Sequence, residues 1–123
     1  MKVLVCGGRD FANKITLDYI LDMFNKETQI DTIIHGDARG ADSLASLWAR
    51  EHNIKEIPFP ADWEKYGKAA GPIRNEQMLD YSKPDMVIAF PGGNGTKHMI
   101  DLATRKGYDV KVIHLHEVVN DEK

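Results

Sequence analysis

Cysteine, long apolar runs and an excess of basic residues are all scarce or missing in this sequence. Cys6 is the single cysteine among 123 residues, so no internal disulfide can form and nothing indicates an oxidising compartment. No stretch approaches the ~20 apolar residues of a membrane span, and the apolar run that opens the chain is too short for the core of a signal peptide. We therefore predict a cytoplasmic protein with no membrane partner.

The charge balance disfavours nucleic acid as a partner. Lysine and arginine total 16 against 19 aspartate and glutamate residues, which gives a net charge of −3 and a pI near 5.9. Extended nucleic-acid binding needs a basic excess that neutralises phosphates. The length and a hydrophobic fraction of 42% are typical of one globular domain. We place this domain at residues 1–119 and expect residues 120–123 to form a frayed tail.

Short apolar runs alternate along the chain with longer amphipathic stretches. Most runs are continuous, which is typical of parallel strands covered on both faces. The predicted strands are Lys2–Cys6, Thr32–His35, Lys55–Phe59, Met86–Phe90 and Val110–His114. The predicted helices are Ile15–Lys26, Ala41–His52, Ile73–Tyr81 and Thr96–Lys106. This order predicts a Rossmann-like α/β fold, an open parallel five-stranded sheet in the order 3-2-1-4-5 with helices on both faces.

Glycine, arginine, aspartate and aromatic residues collect in the loops that follow the predicted strands. These loops are residues 7–10, 36–40, 60–63 and 91–96, and the loops at the opposite ends carry no such concentration. In an open parallel sheet, ligands bind outside the carboxyl ends of the strands, where the strand order reverses. We therefore predict that the functional site lies on this rim.

The loop at residues 91–96 gives the sharpest single signal. It places three glycines within four residues, after a buried strand and before a helix, so that backbone amides can approach an anion. We interpret it as a phosphate cradle formed by Pro91, Gly92, Gly93, Asn94, Gly95 and Thr96. The alternative is a plain tight turn with Thr96 as the helix N-cap. The Gly-Lys-Ser/Thr that ends a Walker A loop does not follow, which disfavours ordinary ATP hydrolysis. The loop does not complete a GxGxxG motif, which disfavours the usual mode of dinucleotide binding. We therefore predict no cofactor.

The other loops supply further binding candidates, which are Gly7, Gly8, Arg9, Gly36, Asp37 and Arg39. The glycines permit close approach, and Arg9 can bind a phosphate bidentately unless it merely extends into solvent. Asp37 can accept hydrogen bonds from a ribose diol. Asp42 is interpreted as a residue of the first helical turn that serves only as a cap. His35 is interpreted as a strand-end histidine with satisfied hydrogen bonds.

The segment between residues 60 and 78 adds an aromatic face and a positive charge. Trp63 and Tyr66 can stack on a base, although core packing explains Trp63 equally well. Arg74 and Asn75 follow Pro72 in the first turn of a predicted helix, where a solvated helix start is the alternative. His35, Asp37 and His98 form no convincing ligand set, so we predict no metal.

Four motifs together resemble the SLOG superfamily. They are GGRDF at 7–11, HGDARGADSLA at 35–45, FPADWEKYGKAAGPIRNEQM at 59–78 and VIAFPGGNGT at 87–96. This Rossmann-like group contains the Lonely Guy phosphoribohydrolases and a DNA-processing protein, and the motifs are most similar to its YspA-like branch. The resemblance implies nucleotide phosphate binding at the glycine-rich turn and a homodimer.

The resemblance departs from the Lonely Guy pattern at the catalytic residue. Those enzymes carry PGGxGTxxE, and the position of the glutamate is Met99 here. A thioether cannot act as a general acid or base. Their paired arginine and lysine resemble Arg74 and Asn75, which keep only one positive charge.

These observations lead to two hypotheses of different classes. In the first, the protein binds a nucleoside monophosphate, ADP-ribose or an NAD-related ligand and hydrolyses its N-glycosidic bond, as carboxylates do in glycosidases. The candidate catalytic residues are then Asp37, Asp62, Glu76 and Arg74. In the second, the protein is a non-catalytic sensor or sequestering protein for the same ligands, and Met99 favours this reading. A nucleic-acid-processing role is a third and weaker hypothesis.

Overall fold

The apolar runs form one parallel sheet. The computed structural model describes residues 1–115, and its strands lie in the order β3-β2-β1-β4-β5. The strands are β1 Lys2–Cys6, β2 Thr32–His35, β3 Lys55–Pro58, β4 Met86–Ala89 and β5 Val110–Val112. The predicted Rossmann-like fold and strand order are therefore confirmed. The predicted tail at residues 120–123 lies outside the described residues.

Helices cover both faces of this sheet. They are α1 Lys14–Glu27, α2 Ala41–Glu51, α3 Trp63–Tyr66, α4 Ala70–Ser82 and α5 Asn94–Arg105, with a 3₁₀ turn at Gly67–Ala69. Val3 and Val5 of β1 pack in an apolar cluster with α1 and α2, whereas Leu4 and Cys6 pack in a second cluster with α4 and α5. Successive strand residues point to opposite faces, so burial on both faces explains the unbroken apolar runs. Within residues 1–115, no helix is both long and apolar enough to cross a membrane.

The structure corrects the prediction between residues 60 and 72, which appear in the sequence as a long connection. Asp62 accepts a hydrogen bond from the Lys65 amide at 3.1 Å and thereby caps α3. The chain then passes through the 3₁₀ turn into α4, which begins at Ala70 rather than Ile73. None of the α3 residues is buried. Apolar periodicity therefore gave no signal for this short helix.

Two other boundaries differ from the predictions by two residues, and the remaining differences are of one residue. Helix α5 begins at Asn94 with Gly93 as the N-cap residue, so the alternative reading of Thr96 as the N-cap is wrong. Strand β5 ends at Val112 rather than His114, because pairing with β4 stops there at the edge of the sheet. At the other end of α5, Gly107 has a φ of +88° and its amide bonds to Thr104 O, as a helix-terminating glycine does.

A carboxylate on edge strand β3 connects it to β2 and α2. Glu56 Oε1 accepts a hydrogen bond from Ser46 Oγ at 2.6 Å and lies 2.9 Å from His35 Nε2. Arg50 Nε donates to the other carboxylate oxygen at 3.1 Å. The hydrogen bonds from Ser46 and then His35 lower the pKa of Glu56 to about 2. The Asp37 amide donates to His35 Nδ1 at 3.0 Å. Both ring nitrogens of this buried histidine thus have partners, as the sequence predicts.

Replacing this carboxylate should produce a pH-dependent loss of stability. We expect Glu56→Gln to lower the free energy of unfolding by ~2 kcal/mol near neutral pH, since hydrogen bonds to charged groups contribute about this much. A carboxylate whose pKa is lowered in the folded state stabilises the fold at pH values above its ordinary pKa of 4.5. That contribution is lost as the pH falls toward about 2, the pKa in the folded protein. Urea unfolding at about pH 7 and about pH 3 should show the difference from wild type shrinking at the lower pH. Glu27→Gln at the exposed end of α1 is the control, and a difference independent of pH would contradict the assignment.

Candidate functional site

The strand order reverses between β1 and β4, and the loops that follow these two strands border a cavity of about 550 Å³. We call it the rim cavity. Ligands of open parallel sheets bind at such a point, because the loops diverge to opposite sides and leave a crevice. Its lining residues are Cys6, Gly7, Gly8, Arg9, Ala38, Asp42, Trp63, Lys68, Gly71, Pro72, Arg74, Asn75, Met78, Gly93, Asn94, Gly95, Thr96, His98 and Met99.

The cavity wall depends on the close approach of three backbone segments around Gly8. Its amide donates to Pro91 O at 2.9 Å, and its carbonyl accepts from the Ala41 amide at 3.2 Å. Gly40 has a φ of +82°, and a Cβ there would collide with Gly8 O and lie 2.6 Å from the Arg9 carbonyl group. A Cβ at Gly7 would lie 2.6 Å from Ala41 Cβ. Glycine is therefore required by packing in this part of the rim.

The first turn of α5 forms one side of the rim cavity. Its leading N–H groups have no partner within the helix and carry the positive end of the helix dipole. A Cβ added to Gly93 or Gly95 would meet open space, whereas a Cβ on Gly92 would collide with Thr96 Oγ1 and approach the Gly8 amide to 2.6 Å. Gly92 is thus required for packing, and the other two glycines leave the backbone accessible to a ligand.

A hydrogen-bonded chain of side chains links α4 to the start of α5. Arg74 Nε donates to Asn75 Oδ1 at 3.1 Å, which fixes the orientation of that amide. Asn75 Nδ2 therefore donates, to Gly95 O at 3.3 Å and to His98 Nδ1 at 3.1 Å. A neutral His98 then carries its proton on Nε2. This chain places a guanidinium, an amide and an imidazole along one wall of the rim cavity.

The guanidinium of Arg74 is held by backbone carbonyls. Its Nη1 donates to Gly36 O at 2.6 Å and to Phe59 O at 3.5 Å. Burial lowers the pKa of Arg74, with the charge of Arg9 a further cause, while Asp42 opposes the shift. Arg9 itself lies over the Trp63 ring, 5.4 Å from the ring centroid. Two guanidiniums and an indole therefore meet at the mouth of the rim cavity.

Asp42 is a buried carboxylate in the same wall, and sequence reasoning underestimated it. It is 7% exposed, and its Oδ2 accepts hydrogen bonds from the amides of Gly36 and Ala38, each at 3.2 Å. Burial raises the pKa of Asp42, although these amides and nearby positive charges oppose the shift. The N-cap residue of α2 is Gly40, so Asp42 stabilises the loop after β2 and faces the cavity rather than acting only as a cap.

A second cavity of about 400 Å³ adjoins the first across a common wall of Arg9, Ala38, Trp63 and Arg74. We call it the arginine cavity. It brings together the predicted residues Gly36, Asp37 and Arg39, which do not line the rim cavity. Asp37 is exposed and has a φ of +58°, a conformation that aspartate tolerates better than most residues. Most of the sequence-predicted residues thus line one or the other of two adjoining cavities.

Several predicted residues lie outside both cavities. Tyr66 and Asp62 line a separate small cavity behind α3, where Lys65 Nζ lies 5.1 Å from the Tyr66 ring centroid. Glu76 is exposed on α4, with its Oε2 3.8 Å from Lys106 Nζ. Pro91 and Gly92 border a groove beside β5. The catalytic roles predicted for Asp62 and Glu76 stay predictions.

Sequence reasoning missed Lys68 and His98 as cavity residues. Lys68 lies in the 60–72 segment, whose helical structure had no periodic signal. His98 follows Asn94 by four residues, and that spacing on a helix predicts one common face. Cys6 and Met99 form part of the apolar floor, and burial raises the pKa of the Cys6 thiol to about 12, so this thiol is not a thiolate nucleophile. Within residues 1–115, no group of three metal-ligating side chains is assembled.

Comparison with known proteins identifies the family of this chain and supports its fold. The model of the YAcAr family, described as the YspA, cpYpsA-related SLOG family, matches residues 1–66, which is just over half of the chain. The chain belongs to this family. The matched part contains the loops after β1 and β2 and helix α3. The predicted SLOG membership is therefore confirmed.

Two further proteins are similar to this SLOG family member. The Gene 61 protein of Mycobacterium phage D29 is 35% identical over 117 residues, which cover 89% of this chain and 93% of that protein. The X-ray structure of DNA processing protein A (DprA) from Streptococcus pneumoniae matches with a TM-score of 0.75 at 19% identity. The match covers 95% of this chain and 51% of that one, so this chain spans about half of its length. The likeness supports the fold.

The packing around Gly8 predicts a difference between two glycine substitutions. Gly40→Ala should lower the free energy of unfolding by ~2 kcal/mol or more, because alanine meets both a positive φ and the backbone of residues 8 and 9. Gly107→Ala is the matched control, since its φ is +88° but its Cβ would meet open space. Urea unfolding of both variants measures the difference. An equal loss in the two variants would show that the close packing contributes nothing.

Proposed function

We propose that this protein binds a nucleotide or nucleotide derivative, such as a nucleoside monophosphate, ADP-ribose or an NAD-related ligand, in the rim cavity. One observation carries the proposal: the accessible amide end of α5 and two arginines, Arg9 and Arg74, border the same cavity. Backbone amides at a helix N-terminus and guanidiniums are the groups that bind phosphate in proteins. Membership of the SLOG family and its resemblance to nucleotide-binding relatives support the same ligand class.

The phosphate would lie beside Gly93 and Gly95, where open space leaves room for oxygens near the backbone. Arg9, after β1, would close the opposite side. Trp63 is about half exposed and borders the cavity, so its ring can cover a base. The rim cavity volume of about 550 Å³ lies within the usual range for small-molecule sites.

Ligand-dependent thermal unfolding tests the proposal. Purified protein is heated with AMP, other nucleoside monophosphates, ADP-ribose, NAD and cyclic ADP-ribose, and free base is assayed in the same samples. A ligand that binds only the folded state raises the apparent Tm. We expect stabilisation by at least one member of the panel, and stabilisation by none would contradict the proposal.

A substitution at Gly93 tests the position of the phosphate. Gly93→Val should reduce the affinity for the stabilising nucleotide by about tenfold or more, because the side chain occupies the space beside the α5 amides. The fold should be retained, since a Cβ at Gly93 meets no atom within 4 Å. Gly93→Ala provides a graded comparison and should have a smaller effect. Unchanged affinity of a folded Gly93→Val protein would remove the cradle from the proposal.

Hydrolysis of an N-glycosidic bond is the second candidate function. The position of the Asp42 carboxylate in the rim cavity favours it. Among the described residues, Asp42 is the carboxylate that lines the rim cavity, and burial raises its pKa. A raised pKa is a common property of carboxylates that transfer protons. Asp37 in the adjoining cavity is the second carboxylate available. Glycosidases use two such groups. Because Met99 replaces the Lonely Guy glutamate, binding without turnover remains the primary proposal.

Two conservative variants test hydrolysis. If wild-type protein releases base, Asp42→Asn should lower the rate by about a hundredfold while affinity changes little, because the amide keeps an acceptor oxygen but cannot transfer a proton. Asp37→Asn measures the contribution of the other carboxylate under the same conditions. Full rates in both variants would exclude both residues from catalysis.

A homodimer remains part of the proposal through the family resemblance. Helix α1 exposes Ile15, Tyr19 and Met23 at intervals of four residues, which places them on one face. This face offers apolar surface for a second copy. The name of DprA makes DNA a competing ligand class, and the net charge of −3 disfavours it. Polyanion binding would weaken steeply with ionic strength, which distinguishes it from binding of a small nucleotide.

A further inference from the structure

The arginine cavity has an unbalanced charge. Arg9, Arg39 and Arg74 line it, and Asp37 is the carboxylate among its lining residues. Among the lining residues, three positive charges face one negative charge in a cavity of about 400 Å³, while Asp10 lies beside Arg39 and the charge of Asp42 acts on Arg74 from outside this lining. Cationic side chains concentrated in a concave site raise the local concentration of anions.

The guanidinium of Arg74 has only part of its donor set satisfied. Nε and Nη1 donate to Asn75 Oδ1 and to two backbone carbonyls, whereas Nη2 has no protein acceptor among residues 1–115. No carboxylate in this part of the chain forms an ion pair with Arg74. The charge of Asp42 acts on this partly buried guanidinium and balances it in part, without a direct ion pair. Arg74 therefore presents a free donor where the two cavities meet.

The other two arginines are also available to a ligand. Arg9 forms no ion pair among the described residues and lies over the Trp63 ring. Arg39 Nη2 lies 3.6 Å from Asp10 Oδ1, but both side chains are largely exposed, at 73% and 98%. Such an exposed pair contributes little and exchanges readily for a better anion.

We propose that the arginine cavity is a second anion subsite, which binds a phosphate of the nucleotide ligand other than the one at α5. This inference rests on the proposed function and narrows its ligand class. Arg9, Trp63 and Arg74 line both cavities, so the two sites adjoin and one extended ligand can contact both. The ligand is a diphosphate-bridged nucleotide derivative rather than a nucleoside monophosphate. Asp37 then accepts a hydrogen bond from a sugar hydroxyl beside the second phosphate.

Arg39 provides the test, because it lines the arginine cavity and not the rim cavity. Calorimetric titrations with AMP and with ADP-ribose, at one ionic strength, measure both affinities. We expect wild-type protein to bind ADP-ribose at least about tenfold more tightly than AMP. Arg39→Ala should lose about five- to tenfold in affinity for ADP-ribose and leave AMP affinity unchanged. Arg39→Lys should recover part of the loss, since it keeps the charge but not the bidentate geometry.

The control is Arg105→Ala, which removes an exposed arginine at the far end of α5 and should change neither affinity. Equal binding of AMP and ADP-ribose by wild-type protein would overturn the second subsite and leave nucleotide binding intact. An equal effect of Arg39→Ala on both ligands, or no effect on either, would overturn it in the same way. If wild-type protein binds neither of these two ligands nor any other nucleotide of the panel, both the proposed function and this inference are overturned.

Discussion

The contact that the candidate site depends on is the meeting of three backbone segments at Gly8. This residue donates to the loop after β4 and accepts from the first residue of α2, so the ends of three elements lie together with no side chain between them. Gly7, Gly40 and Gly92 surround it, and a Cβ on any of them would lie within 2.6 Å of a neighbouring atom. The walls of the rim cavity are therefore made largely of backbone. Such walls present fixed amide dipoles to an anion and need little reorganisation when it binds.

The fold could be predicted from the sequence because its strongest signals are long and repeated. Strands buried on both faces appear as unbroken apolar runs, and α1, α2, α4 and α5 bury a regular stripe against them. Helix α3 escaped prediction because it is four residues long and buries no side chain, so it is defined by the Asp62 cap rather than by periodicity. The start of α5 at Asn94 was missed because Gly93 caps it without a side-chain hydrogen bond.

The candidate site could be located on the rim but not divided into its parts. The rule that ligands bind beyond the carboxyl ends of the strands selects loops, and it cannot separate side chains that lie on opposite sides of Arg74 and Trp63. Asp37 and Asp42 show the difficulty. Both follow β2, yet Asp37 is exposed beside Arg39, whereas Asp42 turns inward on the first turn of α2 and binds two amides. Burial, which distinguishes them chemically, depends on long-range packing that a local motif does not encode.

The charges at the mouth of the two cavities have a cost in the free protein that a ligand can offset. The chain carries a net charge of −3, and at Arg74 the charge of Asp42 opposes the lowering of the pKa more strongly than the charge of Arg9 contributes to it. Burial lowers the pKa of Arg74, so the charged guanidinium is less favourable there than in water. An anion bound between Arg9 and Arg74 attracts both guanidiniums. An anion therefore offsets part of the cost of burying the charge of Arg74, whereas a neutral ligand does not. Within residues 1–115 neither Arg9 nor Arg74 forms a direct ion pair, so both side chains keep donors for such an anion.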